Sequence, residues 1–401
     1  MNKKISLGLA LSCTFLAVAL SVTITMLVSM RIYNDIIKDV AERSDVHSTV
    51  SDIDDIVRKN YFGDINESLL KTMLSDGYVD GIGDRYSYYM TASEYAKFKE
   101  QQKGNKRGIG IIAVYDSKNN GIYVAEVSEN SPAQLQGIQK GDLITAVDSV
   151  DVTALNYEEL MEALEGEKLT NVQVTFTHEG ESKTVSVARG YSAQTVYYSV
   201  YGDVGYIKIT AFYNTTAEQL QDALDYMSEK NVASVIFDVR NNNTGLVPDV
   251  VKCIDILVPV ATEGNKAIAT AVDKDENIIE TFTSDSSSSG FAMVVLVNSK
   301  TSGAAELFAC DLRDFGIAQL VGDTTAGNGT MQKVFELDDG SAIVLTVAKI
   351  LPYKSDSFNG KGLEPDHKVD LTAEQFLRLE MLTSKEDAQL QKALELLNNG
   401  K

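Results

Sequence analysis

Cysteine and histidine are scarce in this chain, three of each in 401 residues: Cys13, Cys253, Cys310 and His47, His178, His367. No C-x-x-C pair occurs and none of the six is spaced as a metal-ligand set, so the pattern supports no metal centre and no disulfide framework. Cys253 and Cys310 fall in predicted helices with apolar neighbours and read as small buried hydrophobes. Clustered positive charge is also missing. Lys plus Arg number 36 against 57 Asp plus Glu, a formal charge of −21, and nothing beyond Asn2-Lys3-Lys4 concentrates basic residues. That argues against nucleic acid as a partner, because neutralising phosphates needs grouped Lys and Arg. What remains, 44% hydrophobic and 23% charged residues, is ordinary globular composition, long enough for two or three domains.

Charge is absent altogether between Lys4 and Arg31, a stretch of 26 residues. As a helix it is long enough to span a bilayer with some tilt, and it exceeds the apolar part of a cleaved signal. Lys3 and Lys4 in front put the N-terminus in the cytoplasm and the bulk of the chain on the extracytoplasmic side. Residues 1–34 are therefore expected to be a cytoplasmic stub and signal anchor in the cell membrane. Cleavage near Ala17-Val18-Ala19 is the alternative, although that tripeptide lies inside the run.

The rest divides by rhythm. Residues 35–104 read as helical, with apolar residues such as Ile36, Ile37 and Val40 at 3–4 spacing. Residues 105–190 alternate as short strands interrupted by one helix, Tyr157–Leu164, closed by Gly166. From 191 to 370 strands alternate with helices, the signature of crossover units and a largely parallel sheet. Asp338-Asp339-Gly340 reads as a hairpin turn, Ser284–Gly290 as a polar loop, and 371–401 as terminal helices. The expected class is an α/β multidomain protein.

Within 105–190, Gly108-Ile109-Gly110-Ile111, Asn130-Ser131-Pro132-Ala133 and Gly137-Ile138-Gln139-Lys140-Gly141-Asp142-Leu143-Ile144 together resemble a PDZ domain. The resemblance implies that a peptide's terminal carboxylate meets the loop Arg107, Gly108, Ile109, Gly110, Ile111 and that the peptide pairs beside Gly110–Ala113, against helix 157–165. Pro132, Gly141 and Asp142 read as turn chemistry.

Most of 50–401 resembles the carboxyl-terminal processing (tail-specific) proteases, serine peptidases of family S41. The resemblance rests on Gly83-Asp84-Arg85-Tyr86-Ser87-Tyr88-Tyr89, Gly205-Tyr206-Ile207, Asp238-Val239-Arg240-Asn241-Asn242-Asn243-Thr244-Gly245 and Gly362-Leu363-Glu364-Pro365-Asp366. It implies a ClpP/crotonase-like α/β core and a serine–lysine dyad that needs no cofactor. The family's S-A-S-E-[IL] corresponds to Gly303-Ala304-Ala305-Glu306-Leu307, and its G-K-G-x-x-Q to Gly327-Asn328-Gly329-Thr330-Met331-Gln332. The nucleophile position is thus Gly303 and the base position Asn328, while Gln332 is retained. The oxyanion region comprises Thr244, Gly245 and Ala304, with Thr244 replacing a glycine. Glycine has no side chain to attack with, and asparagine takes no proton near neutral pH.

Ser302, Ser299 and Thr301 crowd the same turn, after the apolar run Phe291–Val297. Ser302 is the fallback nucleophile, but it lies one residue off, roughly 100° around a helix. Its other role is an N-cap for the helix starting near Gly303. Lys300, Lys333 and His367 are the conceivable bases and all read as misplaced. Three readings follow, of which the first two are a pseudo-peptidase binding protein carboxyl termini, alone, as a homodimer or with an active homologue, and an active endopeptidase rearranged around Ser302. A purely structural envelope protein is the third.

Overall fold

A computed structural model of the chain describes residues 7–106, 108–116, 118–155, 157–166, 170–192, 194–259, 267–284 and 290–399. They fall into two units, Met1–Leu74 and Ser75–Lys401. The first unit is dominated by one helix, α1 (Leu7–Asn60), whose last turn carries Arg58 and Lys59, where cations suit the helix dipole. Arg58 reaches Asp54 at 2.8 Å and Glu67 at 2.6 Å. Glu67 opens α2 (Glu67–Asp80), with Asn66 Oδ1 accepting from the Leu69 N–H at 3.1 Å as its cap. Among the described residues no helix is long and apolar enough to cross a membrane. Part of the uncharged run, with Lys3 and Lys4, lies outside them.

The second unit takes in the end of α2 from Ser75 and continues with β1 (Tyr88–Met90) and α3 (Ala92–Gln102), the latter opened by a Thr91–Glu94 capping box. After β2 (Asn105–Lys106) comes an antiparallel domain of β3 (Ile111–Asp116), β4 (Gly121–Val127), α4 (Pro132–Leu135), β5 (Leu143–Val147), β6 (Val150–Asp151), α5 (Tyr157–Glu165), β7 (Asn171–His178) and β8 (Glu181–Ala188). Its sheet runs β3-β4-β5-β7-β8, so β3 is an edge strand. Ile122, Val124, Ile144, Leu160, Val174 and Phe176 fill its core. A short strand β9 (Tyr191–Ser192) pairs with β2 and closes the domain at its neck.

The peptidase-like part contains β10 (Val196–Tyr201), β11 (Val204–Ile209), α6 (Thr216–Glu229), β12 (Ser234–Asp238), α7 (Val247–Leu257), β13 (Ala267–Val272), β14 (Ile278–Thr283), β15 (Ala292–Val297), α8 (Ala304–Asp314), β16 (Ala318–Gly322), β17 (Thr330–Glu336), β18 (Ala342–Leu351), β19 (His367–Lys368), α9 (Ala373–Leu377) and α10 (Ala388–Asn399). Six strands form one sheet, β10-β11-β12-β15-β16-β19, parallel except where β10 meets β11. Its central strands are buried on both faces, as parallel sheets require. Val235, Phe237 and Val295 meet the core shared with α6, α7 and α8, while Ile236, Val294 and Leu296 meet Leu390 and Ala393 of α10.

The crossover pattern and the hairpin at Gly340 read from the sequence are both present. The second sheet was not foreseen: β18 pairs with β17 along one edge and with β1 and β13 along the other, and β13 pairs with β14. The middle of the expected loop, residues 285–289, lies outside the described residues. Cys253 and Cys310 are buried and free, and burial pushes both thiols up.

Two buried ionisable clusters set the polar side of this core. Arg240 lies between Asp238 and Asp387, with contacts of 2.6 and 2.7 Å, and ties α10 to the end of β12. Burial works to raise the Asp238 carboxyl, but the charge and hydrogen bonds of Arg240 outweigh it and hold that group below its ordinary value. Asp311 on α8 has no such cation. Its Oδ1 accepts from the Tyr353 N–H at 2.9 Å and its Oδ2 has no partner among the described residues. Burial pushes its carboxyl well above the usual range, more than the Tyr353 hydrogen bond lowers it.

Asp311 is thus protonated in the fold over a range where the unfolded chain, at about 3.9, has ionised. The folded form holds the extra proton, so Asp311 costs stability as pH rises above about 4. Asp311→Asn is expected to unfold at equal or higher urea than the parent at pH 8 and to show a flatter dependence between pH 5 and pH 8. A steeper dependence, or a large loss at pH 8, would contradict this assignment.

Candidate functional site

Three loops meet at the carboxyl ends of neighbouring parallel strands: 239–246 after β12, 298–303 after β15 and 323–329 after β16. Ligand sites of open α/β sheets form at such ends. The loops are fastened to one another by polar contacts. Asn298 Oδ1 accepts from the Asn241 N–H at 3.0 Å, the Thr301 hydroxyl donates to the Val239 carbonyl at 2.9 Å, and the Ala326 N–H donates to the Thr301 carbonyl at 3.0 Å. Thr301 is therefore a buried fastening and not a displayed hydroxyl.

Gly303 is the N-cap of α8, with φ +63° and ψ −116°. A side chain strains such a backbone, whereas glycine adopts it freely. Asn328 stands opposite. A Cβ placed on Gly303 would lie 3.3 Å from Asn328 Nδ2, so the two positions that the motifs pair are brought together in space. Asn328 is 8% exposed. Its Oδ1 accepts from the Thr330 hydroxyl at 2.6 Å, and that hydroxyl accepts from Gln332 Nε2 at 2.7 Å. Gln332 thus acts on Asn328 through Thr330.

Beneath both positions sits Glu306, fully buried. One oxygen accepts from the Gly303 N–H at 3.0 Å and the Asn328 N–H at 2.7 Å. The other accepts from the Gly327 N–H at 2.6 Å and the Thr325 hydroxyl. Glu306 is the third residue of α8 and reaches back to the cap N–H, an arrangement legible as an acidic residue three after a small one. Its grip on the 325–328 loop has no local signal.

Gly303, Ala304, Asn328, Thr330, Thr244 and Gly245 line a cavity of about 300 Å³, together with Arg85 and Tyr86 from the G-D-R-Y segment. Ser302 is not among its lining residues. Its N–H donates to the Asn242 carbonyl at 2.9 Å, its hydroxyl has no partner among the described residues, and it is not the cap of α8, which is Gly303. The cap role expected of Ser302 is corrected: backbone geometry places the helix start one residue later. Lys300 lies over the Phe376 ring, Lys333 over Phe335, and His367 beside Gln319, so none of the three faces the cavity.

At the positions expected to form an oxyanion region, the Thr244 N–H donates to Asn242 Oδ1 at 3.3 Å, and Gly245 bridges to Phe212. Thr244 also borders a second cavity of about 250 Å³, whose opposite wall is Ile111 and Ile112 of β3. The free edge of that strand and the peptidase-type cavity are therefore neighbours.

Of the carboxylate loop, Arg107 lies outside the described residues. Gly108 sits beside Leu164 and Glu165 at the end of α5, and Gly110, at φ +90°, packs on Ser131 so closely that a Cβ would overlap it at 2.2 Å. Ile109 was expected on the peptide's side, yet its side chain is 2% exposed and belongs to the domain core. Ile111 is half-buried on β3. Among the described residues no group of His, Cys, Asp and Glu could hold a metal ion.

Glu306→Ala would strip one acceptor from each of four buried donors at once, for a loss on the order of 4 kcal/mol of unfolding free energy. Urea denaturation measures it; a change below about 1 kcal/mol would show that the loops hold without Glu306.

Comparison with known proteins fits this geometry. The sequence profile of peptidase family S41 matches residues 203–369, and that of the PDZ domain matches residues 97–176. A probable CtpA-like serine protease of Staphylococcus saprophyticus is 29% identical over 342 residues, covering 84% of this chain and 68% of its own length. One from Staphylococcus aureus is 30% identical over 327 residues, covering 81% of this chain and 65% of its own. The chain therefore spans 65–68% of the length of these relatives. A putative S41 protease from Bacteroides fragilis superposes with a TM-score of 0.57 at 17% identity, over 85% of this chain and 92% of that one, a likeness of fold. The chain carries a peptidase family S41 domain, matched over residues 203–369, and a PDZ domain ahead of it, matched over residues 97–176.

Proposed function

We propose that this chain captures protein carboxyl termini and holds them without cleaving them. The single observation that carries this reading is the pairing of Gly303 with Asn328, whose amide faces the place where a nucleophile's side chain would begin. Serine peptidases of this kind need an attacking oxygen and a group that takes its proton, and these two positions supply neither. Engagement of the Thr244 N–H by Asn242 supports the same reading, since an oxyanion donor has to be free. Peptide capture is assigned to the unpaired edge of β3, where a carboxyl-terminal strand adds to the sheet beside α5. The shared border at Thr244 leads from that edge towards the cavity.

The uncharged run before Arg31 supports a single-pass anchor that leaves the rest of the chain on the extracytoplasmic side, where the ligands are protein tails. There the protein sequesters its ligand, as a homodimer or beside an active homologue that it regulates.

The test uses the full chain in detergent micelles with an unfolded protein ending in apolar residues. Calorimetry is expected to show saturable binding, mass spectrometry an intact ligand, and alkaline carbonate washing of cell membranes no release of the chain. Cleavage that disappears in Ser302→Ala would overturn the reading in favour of a rearranged peptidase. Release by carbonate would overturn the anchor.

A further inference from the structure

Around Asn328 one end of the cavity presents hydrogen-bond donors. Because Oδ1 of Asn328 is taken by the Thr330 hydroxyl, itself fixed by Gln332, the amide has one orientation and Nδ2 is the group presented to the cavity. Nδ2 has no partner among the described residues, and the side chain is more than nine-tenths buried. It points at the space beside Gly303, which the missing side chain leaves open. The N-terminus of α8, a helix of 11 residues, borders the same space, and the Ala304 N–H there has no acceptor within its helix. Arg85 adds a cation to the wall. Glu306 beneath the site has both oxygens filled by other donors and is fully buried, so it takes up none of the donors offered to a ligand.

We propose that this cavity is a binding site for the terminal carboxylate of a peptide. One carboxylate oxygen accepts from the Ala304 N–H at the helix start. The other occupies the volume that a serine hydroxyl would fill and accepts from Asn328 Nδ2. Leu246, Val247, Val334 and Val344 leave room for a small apolar last residue. Charge-assisted hydrogen bonds favour the carboxylate over a neutral end, and an amidated end would set an N–H against donors. Glycine at 303 is then part of the recognition, because any side chain there competes with the ligand for the same volume. This rests on the reading that the site does not cleave.

The chain contains no tryptophan, so Tyr88→Trp, on the cavity wall, gives a fluorescence reporter that the PDZ domain leaves silent. The full chain with that reporter is titrated with N-acetyl-Leu-Ala-Ala, with its carboxyl-terminal amide and with sodium acetate. The free acid is expected to give a saturable change at concentrations at least tenfold below either other ligand. Adding Asn328→Asp, which puts a negative charge at the donor, or Gly303→Ser, which fills the gap, is expected to weaken the acid at least tenfold. Equal affinity for acid and amide on the unmodified cavity overturns the site, whatever the variants do. So does acid binding unchanged by Asn328→Asp. Acetate binding as well as the peptide would reduce it to an adventitious ion only. Calorimetry of the same protein with a longer tail peptide reads PDZ capture separately, and mass spectrometry of that peptide reads cleavage. Loss of the cavity signal alone therefore sinks this inference, and cleavage sinks the function it rests on.

Discussion

The carboxylate of Glu306 is the junction on which the site depends. It lies under the first turn of α8, and its two oxygens gather the Gly303, Gly327 and Asn328 N–H groups and the Thr325 hydroxyl. A buried carboxylate is costly unless it is fully hydrogen-bonded, and here every strong direction is used. Its consequence is geometric. The turn after β15 and the loop after β16 belong to different crossover units, and Glu306 locks them so that residues 303 and 328 face each other. Whatever side chains stand there are presented as a pair, and the scaffold keeps that pairing although the two residues are glycine and asparagine.

The surroundings divide the labour. The six-stranded sheet, buried on both faces, supplies rigid strand ends, and Arg240 fastens the C-terminal helix to one of them through Asp238 and Asp387. The PDZ domain presents its edge strand β3 beside the 239–246 loop, with Ile111 and Thr244 on the wall of one cavity. The five-stranded sheet brings Thr330 and Gln332 to Asn328 and Tyr88 to the outer wall, with Arg85 in the turn ahead of β1. These parts place the edge strand and the cavity side by side, which is the arrangement the proposed capture of a peptide by its end and its backbone relies on.

The order of motifs was legible because each is local. Gly303 and Asn328 were found by their neighbours, the crossover units by their periodicity, and the PDZ fold by its glycines and the helix at 157–164, while the short α4 at Pro132–Leu135 went unread. What escaped was long-range. Tyr88 pairs with Val344, and Arg240 meets Asp387, across separations that carry no periodic signal. Thr330 is the link between Asn328 and Gln332, because residues two apart on β17 share a face and its hydroxyl can bridge the two amides. Ser302 was misassigned as a cap since serine is a good cap former; a positive φ at Gly303 starts the helix one residue later.

Restoring the chemistry tests the central claim most directly. Gly303→Ser with Asn328→Lys, and the same pair with Thr244→Gly, are incubated beside the parent with an unfolded protein ending in apolar residues, and products are followed by mass spectrometry. The expected result is an intact substrate with the parent and cleavage by a restored chain. Cleavage by the parent, or a folded triple variant that remains inert, would contradict the claim that those positions alone separate this protein from a working peptidase.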